Sequence, residues 1–397
     1  MSDANPFAQR DAAPYALPRD LLDDLQTPAL VVYLDRVREN VQRMIDYAGS
    51  ADRWRPHLKT TKIPEVWAEL LAAGVRQFKC ATTREAAVML QVAAAAAANA
   101  PDERVDLLVA YPHRGPSLRR LGELAAVAPH ADVSVLVEDP ELVASVPSSL
   151  GVFVDLNPGM NRTGVPFERM DDAIAVARGA GERFRGLHFY DGHLHGPDLE
   201  QRRAEIFAGY ERLLEAVAAF DLQGLRVGEV ITAGTPAFHH ALQFERFAHV
   251  SFAHRVSPGT VVFHDARSEL ENPDVQLAPA ALVLSGVISH PAADVVTCDA
   301  GSKSVAAEAG DPCAYPLGRH GLVALAPSEE HLPFRCLGER PTRGEQLLLV
   351  PRHVCPTVNL AEAAVLVESG RAPRVVSVSA RAHELLASDP GDAAKLR

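Results

Sequence analysis

Residues 105–157 decide the fold of this chain, and they read VDLLVAYPHRGPSLRRLGELAAVAPHADVSVLVEDPELVASVPSSLGVFVDLN. Buried parallel strands appear as continuous apolar runs of about four to eight residues, whereas half-buried strands alternate apolar and polar residues. The stretch contains three such apolar runs, separated by segments with the polar and apolar spacing of helices: VDLLVAY (105–111), DVSVLVE (132–138) and GVFVDLN (151–157). It therefore predicts parallel strands joined by helices.

The same alternation extends in both directions along the chain. It includes ALVVYL (29–34), WRPHL (54–58), RQFKCAT (76–82), FRGLHFY (184–190), VGEVITAG (227–234) and RVSPGTVVFHD (255–265), and the clearest amphipathic helix spans residues 198–220. Eight or nine strand–helix units over roughly 235 residues match a (β/α)8 barrel in length and number. A doubly wound sheet is the main alternative, but it usually needs fewer units.

The pattern changes after about residue 266. Short apolar runs are joined there by Gly/Pro turns with little helical spacing, as in LAPAALVLSGVISHP (277–291), DVVTCDAG (294–301), GLVALAP (321–327), EQLLLVP (345–351) and PRVVSVSA (373–380). This is typical of antiparallel strands. We predict an α/β chain with two domains: a barrel over residues 27–265, and an antiparallel β domain over residues 266–397 together with residues 1–26.

Composition narrows the classes of function. The 397 residues carry 51 acidic and 39 basic side chains, for a net charge of -12. An acidic surface repels phosphate backbones and anionic lipid, so we expect neither a nucleic-acid nor a membrane partner. The five cysteines are scattered and odd in number, which favours reduced thiols over a disulfide framework. The N-terminal residues lack the apolar core of a signal peptide, so we expect a cytoplasmic protein.

Chemically active residues follow the predicted strands. Active sites of such barrels lie at the carboxyl ends of the strands. Lys59 ends one strand there, and Gly-Thr turns follow two others at Gly234–Thr235 and Gly259–Thr260. A partly desolvated lysine near other cations has a lowered pKa and forms Schiff bases, while backbone N–H groups of such turns bind phosphate. Together they predict a site for a phosphate-bearing aldehyde such as pyridoxal 5'-phosphate (PLP).

Eight segments of the chain support the prediction of a PLP site, because they look like motifs of one known family. They are RPHLKTTK (55–62), FKCATTREA (78–86), VDLNPGMNRTG (154–164), GLHFYDGHLHG (186–196), AGTPA (233–237), SPGTVVFHD (257–265), DAGSKSVAAE (299–308) and HVCPTVNL (353–360). In sequence and order they resemble the D-threonine aldolase/D-serine dehydratase family. These are fold-type III PLP enzymes whose first domain is similar to the alanine racemase barrel. The resemblance runs from about residue 27 to 361.

The resemblance also implies roles for individual residues. Lys59 would carry PLP as a Schiff base, Arg162 would lie beside the pyridine nitrogen or phenolic oxygen, and Thr82 would flank the ring. An ion pair with Asp155 is the structural alternative for Arg162. The segments that hold the phosphate would contribute Tyr190, Gly234, Thr235, Gly259 and Thr260.

His353 and Cys355 are the predicted metal ligands. They lie two apart in the strand-like segment PRHVC (351–355), an arrangement that places both side chains on one face. Imidazole and thiolate are zinc ligands, at roughly 2.0–2.3 Å. The resemblance implies that this pair binds a divalent metal. Aldolases of the family have His-X-Asp here, whereas His-X-Cys is usual in the dehydratases. The thiolate favours zinc, with manganese and magnesium as alternatives.

The segment YDGHLHG (190–196) favours the aldolase branch, with His193 or His195 accepting the proton of the substrate hydroxyl. We therefore expect a PLP- and metal-dependent lyase acting on small 3-hydroxy-D-amino acids, favoured as a D-threonine aldolase, with a dehydratase as the alternative. A PLP-binding protein without turnover and a cofactor-free metal hydrolase are alternatives from other classes. By the same resemblance, we predict a homodimer.

Overall fold

The computed structural model describes residues 5–98, 100, 103–196 and 198–386. Contacts within the chain form two compact units. The barrel unit comprises residues 42–59, 67–259 and 382–386, and the β unit comprises residues 5–41, 60–66 and 260–381. In the described part of the chain, no helix is long and apolar enough to cross a membrane.

The strands and helices follow the apolar runs of the sequence. The strands are β1 (Ala29–Tyr33), β2 (Gln77–Cys80), β3 (Val105–Val109), β4 (Ala131–Val137), β5 (Gly151–Asn157), β6 (Val165–Pro166), β7 (Phe184–Phe189), β8 (Glu229–Thr232), β9 (Ala253–Val256), β10 (Ala281–Ala292), β11 (Val295–Cys298), β12 (Ala314–Pro316), β13 (Leu322–Ala324), β14 (Leu332–Cys336), β15 (Gln346–Pro351), β16 (Ala363–Val367) and β17 (Arg374–Ser377). The helices are α1 (Arg19–Asp24), α2 (Leu34–Ala48), α3 (Pro64–Ala72), α4 (Thr83–Ala97), α5 (Gly115–Ala126), α6 (Pro140–Val143), α7 (Met170–Ala180), α8 (Leu199–Leu222), α9 (Phe238–Gln243), α10 (Ala266–Glu271) and α11 (Val354–Leu360).

The barrel unit is built on a parallel sheet in the order β2-β3-β4-β5-β7-β8-β9, with β6 paired to β5. The segment WRPHL joins the two edges of this sheet, because Trp54 forms a parallel bridge with Val256 of β9 and His57 forms one with Lys79 of β2. The ring is thereby closed through a segment too short to count as a strand. The predicted (β/α)8 class is confirmed.

Helix α8 shows how the sequence pattern produces the outer layer of the barrel unit. Its buried residues recur at helical spacing: Ile206, Tyr210, Leu213, Val217 and Phe220. The side chain of Asp198 caps the helix by accepting a hydrogen bond from the backbone N–H of Gln201 at 3.0 Å. Such a cap satisfies a backbone donor that has no partner within the helix. The amphipathic helix predicted over residues 198–220 is therefore present.

A buried ion cluster holds the amino ends of the barrel strands together. Arg55 forms two hydrogen bonds to the carboxylate of Glu229, at 2.8 and 2.9 Å, and a third to Asp106 at 3.1 Å. The guanidinium is fully buried, and Arg255 contacts Glu229 from a second side at 2.6 Å. Because each charge has a partner of opposite sign, the cluster links β3, β8 and β9 without leaving a buried charge unpaired.

The β unit contains a mainly antiparallel sheet in the order β13-β14-β11-β10-β1-β16-β17, and β15 pairs with β10 and β12. Strand β1 corrects the sequence analysis, which placed ALVVYL at the start of the barrel rhythm. It pairs antiparallel with β10 and parallel with β16 instead. A buried apolar run looks the same in either sheet, so its period does not reveal its partners.

The N-terminal segment contributes to the core of the β unit. Phe7 and Tyr15 are buried in one apolar cluster with Val31 of β1 and Leu282 of β10. The division into residues 27–265 and residues 266–397 with 1–26 stays a prediction. Of these ranges, residues 1–4, 99, 101, 102, 197 and 387–397 lie outside the described residues.

Candidate active site

Lys59 lies just beyond the segment that closes the barrel ring. Its side chain is exposed, and its backbone N–H donates a hydrogen bond to Nδ1 of His57 at 3.3 Å. Lys59 itself lies in the turn that follows this segment. His57 pairs with Lys79 in the adjacent strand, so Lys59 comes one step further toward the carboxyl ends of the strands.

Tyr190 directly follows β7, and its ring contacts two predicted site residues, Arg162 and Gly234. The guanidinium carbon of Arg162 lies 4.5 Å from the ring centroid, which is cation–π distance. The alternative ion pair between Arg162 and Asp155 does not form; Oδ1 of Asp155 binds Nδ1 of His188 at 2.7 Å, and Oδ2 has no hydrogen-bond partner among the described residues. Arg162 and Tyr190 are therefore brought together, as a shared place beside the cofactor requires.

Gly234 and Gly192 pack against the Tyr190 ring. A Cβ atom on Gly234 would lie 2.8 Å from Cε2 of Tyr190, and one on Gly192 would collide with the other edge of the ring. Any larger residue at either position would displace the tyrosine. Thr235 continues this turn after β8, and Gly259 lies in the segment after β9. The backbone of the Gly234–Thr235 turn thus lies directly beside Tyr190, a cradle of the kind that a phosphate group needs.

Thr82, predicted to flank the cofactor ring, also caps a helix in the structure. It is the N-cap of α4, where its hydroxyl accepts the N–H of Glu85 at 3.0 Å. The Glu85 carboxylate in turn accepts the N–H of Thr82 at 3.4 Å. This reciprocal capping box fixes the helix start next to the carboxyl end of β2. The predicted position of Thr82 beside the cofactor ring stays a prediction.

Lys79 is a buried amine that the sequence analysis missed. Its Nζ lies 3.4 Å from Nε2 of His188, whose other ring nitrogen binds Asp155. Burial holds the pKa of Lys79 well below its ordinary value, and the nearby charges of Lys59 and Arg162 lower it further. A lysine in the middle of the apolar run of β2 was the available signal, since lysine is rarely fully buried without a partner.

His193 is the better placed of the two candidate bases. It lies two residues after Asp191, close to Gly159, and its Nδ1 is buried with no hydrogen-bond partner among the described residues. Burial lowers the pKa of His193 below its ordinary value, so the ring is neutral near pH 7 and able to accept a proton. His195 is exposed.

The predicted metal ligands His353 and Cys355 lie in the β unit. The prediction that they lie on a strand is wrong. Strand β15 ends at Pro351, His353 is the N-cap of α11, and Cys355 lies in the first turn of that helix. The helix begins here because Asp265 accepts the N–H of Val354 at 2.9 Å, a contact from a distant part of the chain. The two side chains meet through a helix turn rather than a strand face.

Cys355 and His353 share a polar environment. The Cys355 sulfur lies 3.2 Å from Oγ1 of Thr60 and 3.5 Å from Oγ1 of Thr260. Nδ1 of His353 contacts Glu308 at 2.5 Å. Burial lowers the pKa of His353, but the hydrogen bond to Cys355 and the charges of Cys355, Asp265 and Glu308 outweigh it and raise the pKa to about 9.

These donors fit a soft divalent metal held by few protein ligands. Nitrogen and sulfur donors in contact with each other are the chemistry zinc prefers. Within the ranges described, no group of three or more His, Cys, Asp or Glu side chains is arranged to hold a metal ion. The pair His353 and Cys355 therefore stays a predicted site with open positions. Thr260, predicted to bind phosphate, contacts the same thiol.

Comparison with known proteins identifies the class. The alanine racemase N-terminal domain model matches residues 32–266, and the putative serine dehydratase domain model matches residues 280–367. The fold and these matches define a PLP-dependent enzyme with an alanine racemase-like barrel. Since the first match covers more than half of the chain, the protein belongs to this family, and it is a PLP-dependent lyase.

Individual relatives include both aldolases and a dehydratase of 3-hydroxy-D-amino acids. The chain is 31% identical to the D-threonine aldolase of Arthrobacter sp, over 93% of this chain and 96% of the relative. It is 28% identical to the 3-hydroxy-D-aspartate aldolase of Paracoccus denitrificans (strain Pd 1222), over 92% of this chain and 95% of the relative. The crystal structure of D-threonine aldolase from Filomicrobium marinum superposes with a TM-score of 0.78 at 28% identity, covering 90% of this chain and 96% of that one.

Proposed function

We propose that this chain is a PLP- and divalent-metal-dependent lyase of 3-hydroxy-D-amino acids. The favoured reaction is retro-aldol cleavage of the Cα–Cβ bond, as in a D-threonine aldolase, giving glycine and an aldehyde. The observation that carries the proposal is the match to two aldolases of such substrates over more than nine-tenths of both chains. The acidic surface is consistent with a small-molecule substrate rather than a nucleic acid.

The residues that would hold PLP come from several strand ends. Lys59 would offer the amine, Arg162 would lie beside the pyridine nitrogen or phenolic oxygen, and Thr82 would flank the ring. The phosphate would be held by Tyr190, Gly234, Thr235, Gly259 and Thr260. PLP, when bound, supplies an electron sink for the bond that breaks. Gly192 and Gly234 support this fit, because they place turn backbone rather than side chains next to the Tyr190 ring.

His193 would act as the general base. A neutral imidazole whose Nδ1 has no hydrogen-bond partner in the described part of the chain is able to take the proton of the substrate 3-hydroxyl. Loss of that proton is what retro-aldol cleavage requires at the hydroxyl oxygen. The exposed His195 is the second candidate.

His353 and Cys355 would hold the metal, and zinc is favoured. Such an ion supplies Lewis-acid chemistry for a hydroxyl group. The thiol of Cys355 lies beside two threonine hydroxyls. Because the pair supplies only two protein donors, the remaining coordination positions would be open to other ligands. Manganese or magnesium would suit a carboxylate better than this sulfur.

A dehydratase is the alternative, and one observation favours it. The pair is His-X-Cys, the form usual in dehydratases of the family, and the putative serine dehydratase model covers it. In that reaction the α-proton and the 3-hydroxyl are lost, giving a 2-oxo acid and ammonia. Removal of the α-proton would fall to Lys59.

The experiment that decides incubates the purified protein, supplied with PLP and zinc, with D-threonine and with D-serine. Glycine, aldehyde, 2-oxo acid and ammonia are measured together, and L-threonine and L-serine are the controls. We expect glycine and acetaldehyde in equal amounts from D-threonine and little turnover of the L-amino acids. Equal amounts of 2-oxo acid and ammonia would establish the dehydratase instead, and no product from any of them would overturn both.

A further inference from the structure

Asp191 and Tyr210 form a buried polar pair directly behind the Tyr190 site. Asp191 follows Tyr190 in sequence, both members of the pair are fully buried, and the Tyr210 hydroxyl donates a hydrogen bond to Oδ2 of Asp191 at 2.7 Å. Tyr210 belongs to α8. The pair therefore ties the end of β7 to the helix that follows it.

The pair continues toward the neighbouring strands. Thr232, the last residue of β8, interacts with the Tyr210 hydroxyl, and its own hydroxyl lies 2.8 Å from Nε2 of His254 on β9. The ends of β7 and β8, strand β9 and helix α8 are thus connected through a single chain of polar side chains. Gly234, two residues after Thr232, begins the turn assigned above to the phosphate.

The carboxyl group of Asp191 lies close to that turn. Oδ1 is buried and has no hydrogen-bond partner among the described residues, while the backbone N–H of Gly234 lies near enough to lower the pKa of the carboxyl group. Burial is the larger influence and raises the pKa of Asp191 to about 6. The other titratable groups that act on it are Tyr210 and Lys79.

A carboxylate at this place costs folding free energy. An apolar residue would avoid the loss of hydration of a buried charge, and one incompletely partnered oxygen adds to that cost. Buried polar groups of this kind cluster at functional sites. Asp191 interacts with the Tyr210 hydroxyl and with the backbone of Gly234, and Tyr190 directly precedes it in the chain.

We propose that Asp191 is a positioning residue, held by Tyr210, that fixes the Gly234–Thr235 turn against Tyr190 in the shape that binds a phosphate group. This inference rests on the proposed PLP site and deepens it. Asp191 does not touch the cofactor in this role. It acts through the backbone of Gly234, and its effect is confined to ligands that carry the phosphate.

The test compares PLP with pyridoxal, which lacks the phosphate, by measuring the dissociation constant of each for the apo protein. In Asp191→Ala we expect PLP binding to weaken about tenfold and pyridoxal binding to change less than about twofold. Asp191→Asn keeps an acceptor of the same shape, so it should recover most of the PLP affinity. Tyr210→Phe removes the hydrogen bond from the other side, and we expect an intermediate loss.

Two controls separate positioning from folding. Asp221→Ala changes an exposed carboxylate on α8 and should bind both ligands like the wild type. Thermal unfolding of each apo variant shows whether the chain still folds, and Tyr210→Phe carries the test if Asp191→Ala does not. Equal weakening of both ligands, or unchanged PLP binding, would overturn the proposal. A wild-type protein that binds no PLP would overturn the proposed function as well.

Discussion

Lys59 is the residue on which the proposed chemistry depends. It is an exposed amine just beyond the segment that closes the barrel ring, and its charge acts on His57 and Lys79. We expect Lys59→Ala to lose the visible absorbance of lysine-bound PLP and to lower turnover by at least about 10³-fold, because no other amine is assigned to the cofactor. Absorbance spectra and product assays measure both. Lys303→Ala is the matched control, since Lys303 is exposed and pairs only with surface carboxylates. An unchanged spectrum in Lys59→Ala would contradict the assignment.

Lys79 allows a prediction about pH. Burial, together with the charges of Lys59 and Arg162, lowers its pKa in the folded protein, so the native chain binds fewer protons at this site than the unfolded chain does. Its contribution to stability therefore rises with pH between the lowered pKa and the ordinary value of 10.5. We expect Lys79→Met, of similar size, to be more stable than the wild type at pH 7, by on the order of 1 kcal/mol. The difference should shrink toward pH 10. Urea unfolding at several pH values measures it, and a difference independent of pH would contradict the expectation.

The residues of the site were accessible to sequence reasoning to different degrees. Lys59, Arg162 and Tyr190 lie in loops after strands, and strand order brings such loops to one end of a barrel. The contact between Lys79 and His188 depends instead on which side chains face the interior of the ring. That choice depends on register between β2 and its neighbours, which the apolar pattern of a fully buried strand does not specify.

At the scale of elements, the ion cluster at the amino ends of the strands is a stability device. Glu229→Gln leaves Arg55 and Arg255 without their shared charge partner in a buried place. Breaking such a pair costs about 3–5 kcal/mol. Asp132→Asn is the control, because the ion pair of Asp132 with Arg104 is exposed and contributes less than about 1 kcal/mol. Denaturant midpoints of both variants test this, and equal small losses would show that the cluster is not what holds these strands.

Helix α11 shows how a distant contact decides a local structure. The alternation in PRHVC is compatible with a strand, yet Asp265 caps a helix at Val354 and turns His353 and Cys355 onto its first turn. The metal prediction is unaffected by this change of element. We expect Cys355→Ala to retain the PLP absorbance and to lose metal-dependent turnover, while Cys336→Ala, a partly exposed cysteine on β14, keeps both. Full activity after chelation would contradict a catalytic metal.

At the scale of the whole molecule, the sequence pattern predicted a parallel sheet and an antiparallel sheet, but it did not reveal which strands pair in each. Strand β1 is the instructive case, since an apolar pentapeptide near the start of the chain pairs with β10 and β16, hundreds of residues later. Strand β1 lies between β10 and β16 in the interior of its sheet, so its pairing depends on strands far along the chain. That information is spread over the entire chain rather than located in residues 29–33.

The remaining prediction at this scale is the homodimer implied by the family resemblance. The β unit leaves Leu337 and Val375 70% and 71% exposed, and Val375 lies on β17, which ends the sheet path. Apolar side chains at a sheet edge favour association with a second chain. We expect light scattering of the active, PLP-loaded protein to give about twice the monomer mass of 42.7 kDa, and Val375→Lys to shift the equilibrium toward monomer if this edge takes part. A mass of one chain in a fully active preparation would contradict the prediction. A dimer unaffected by Val375→Lys would place the interface on another surface.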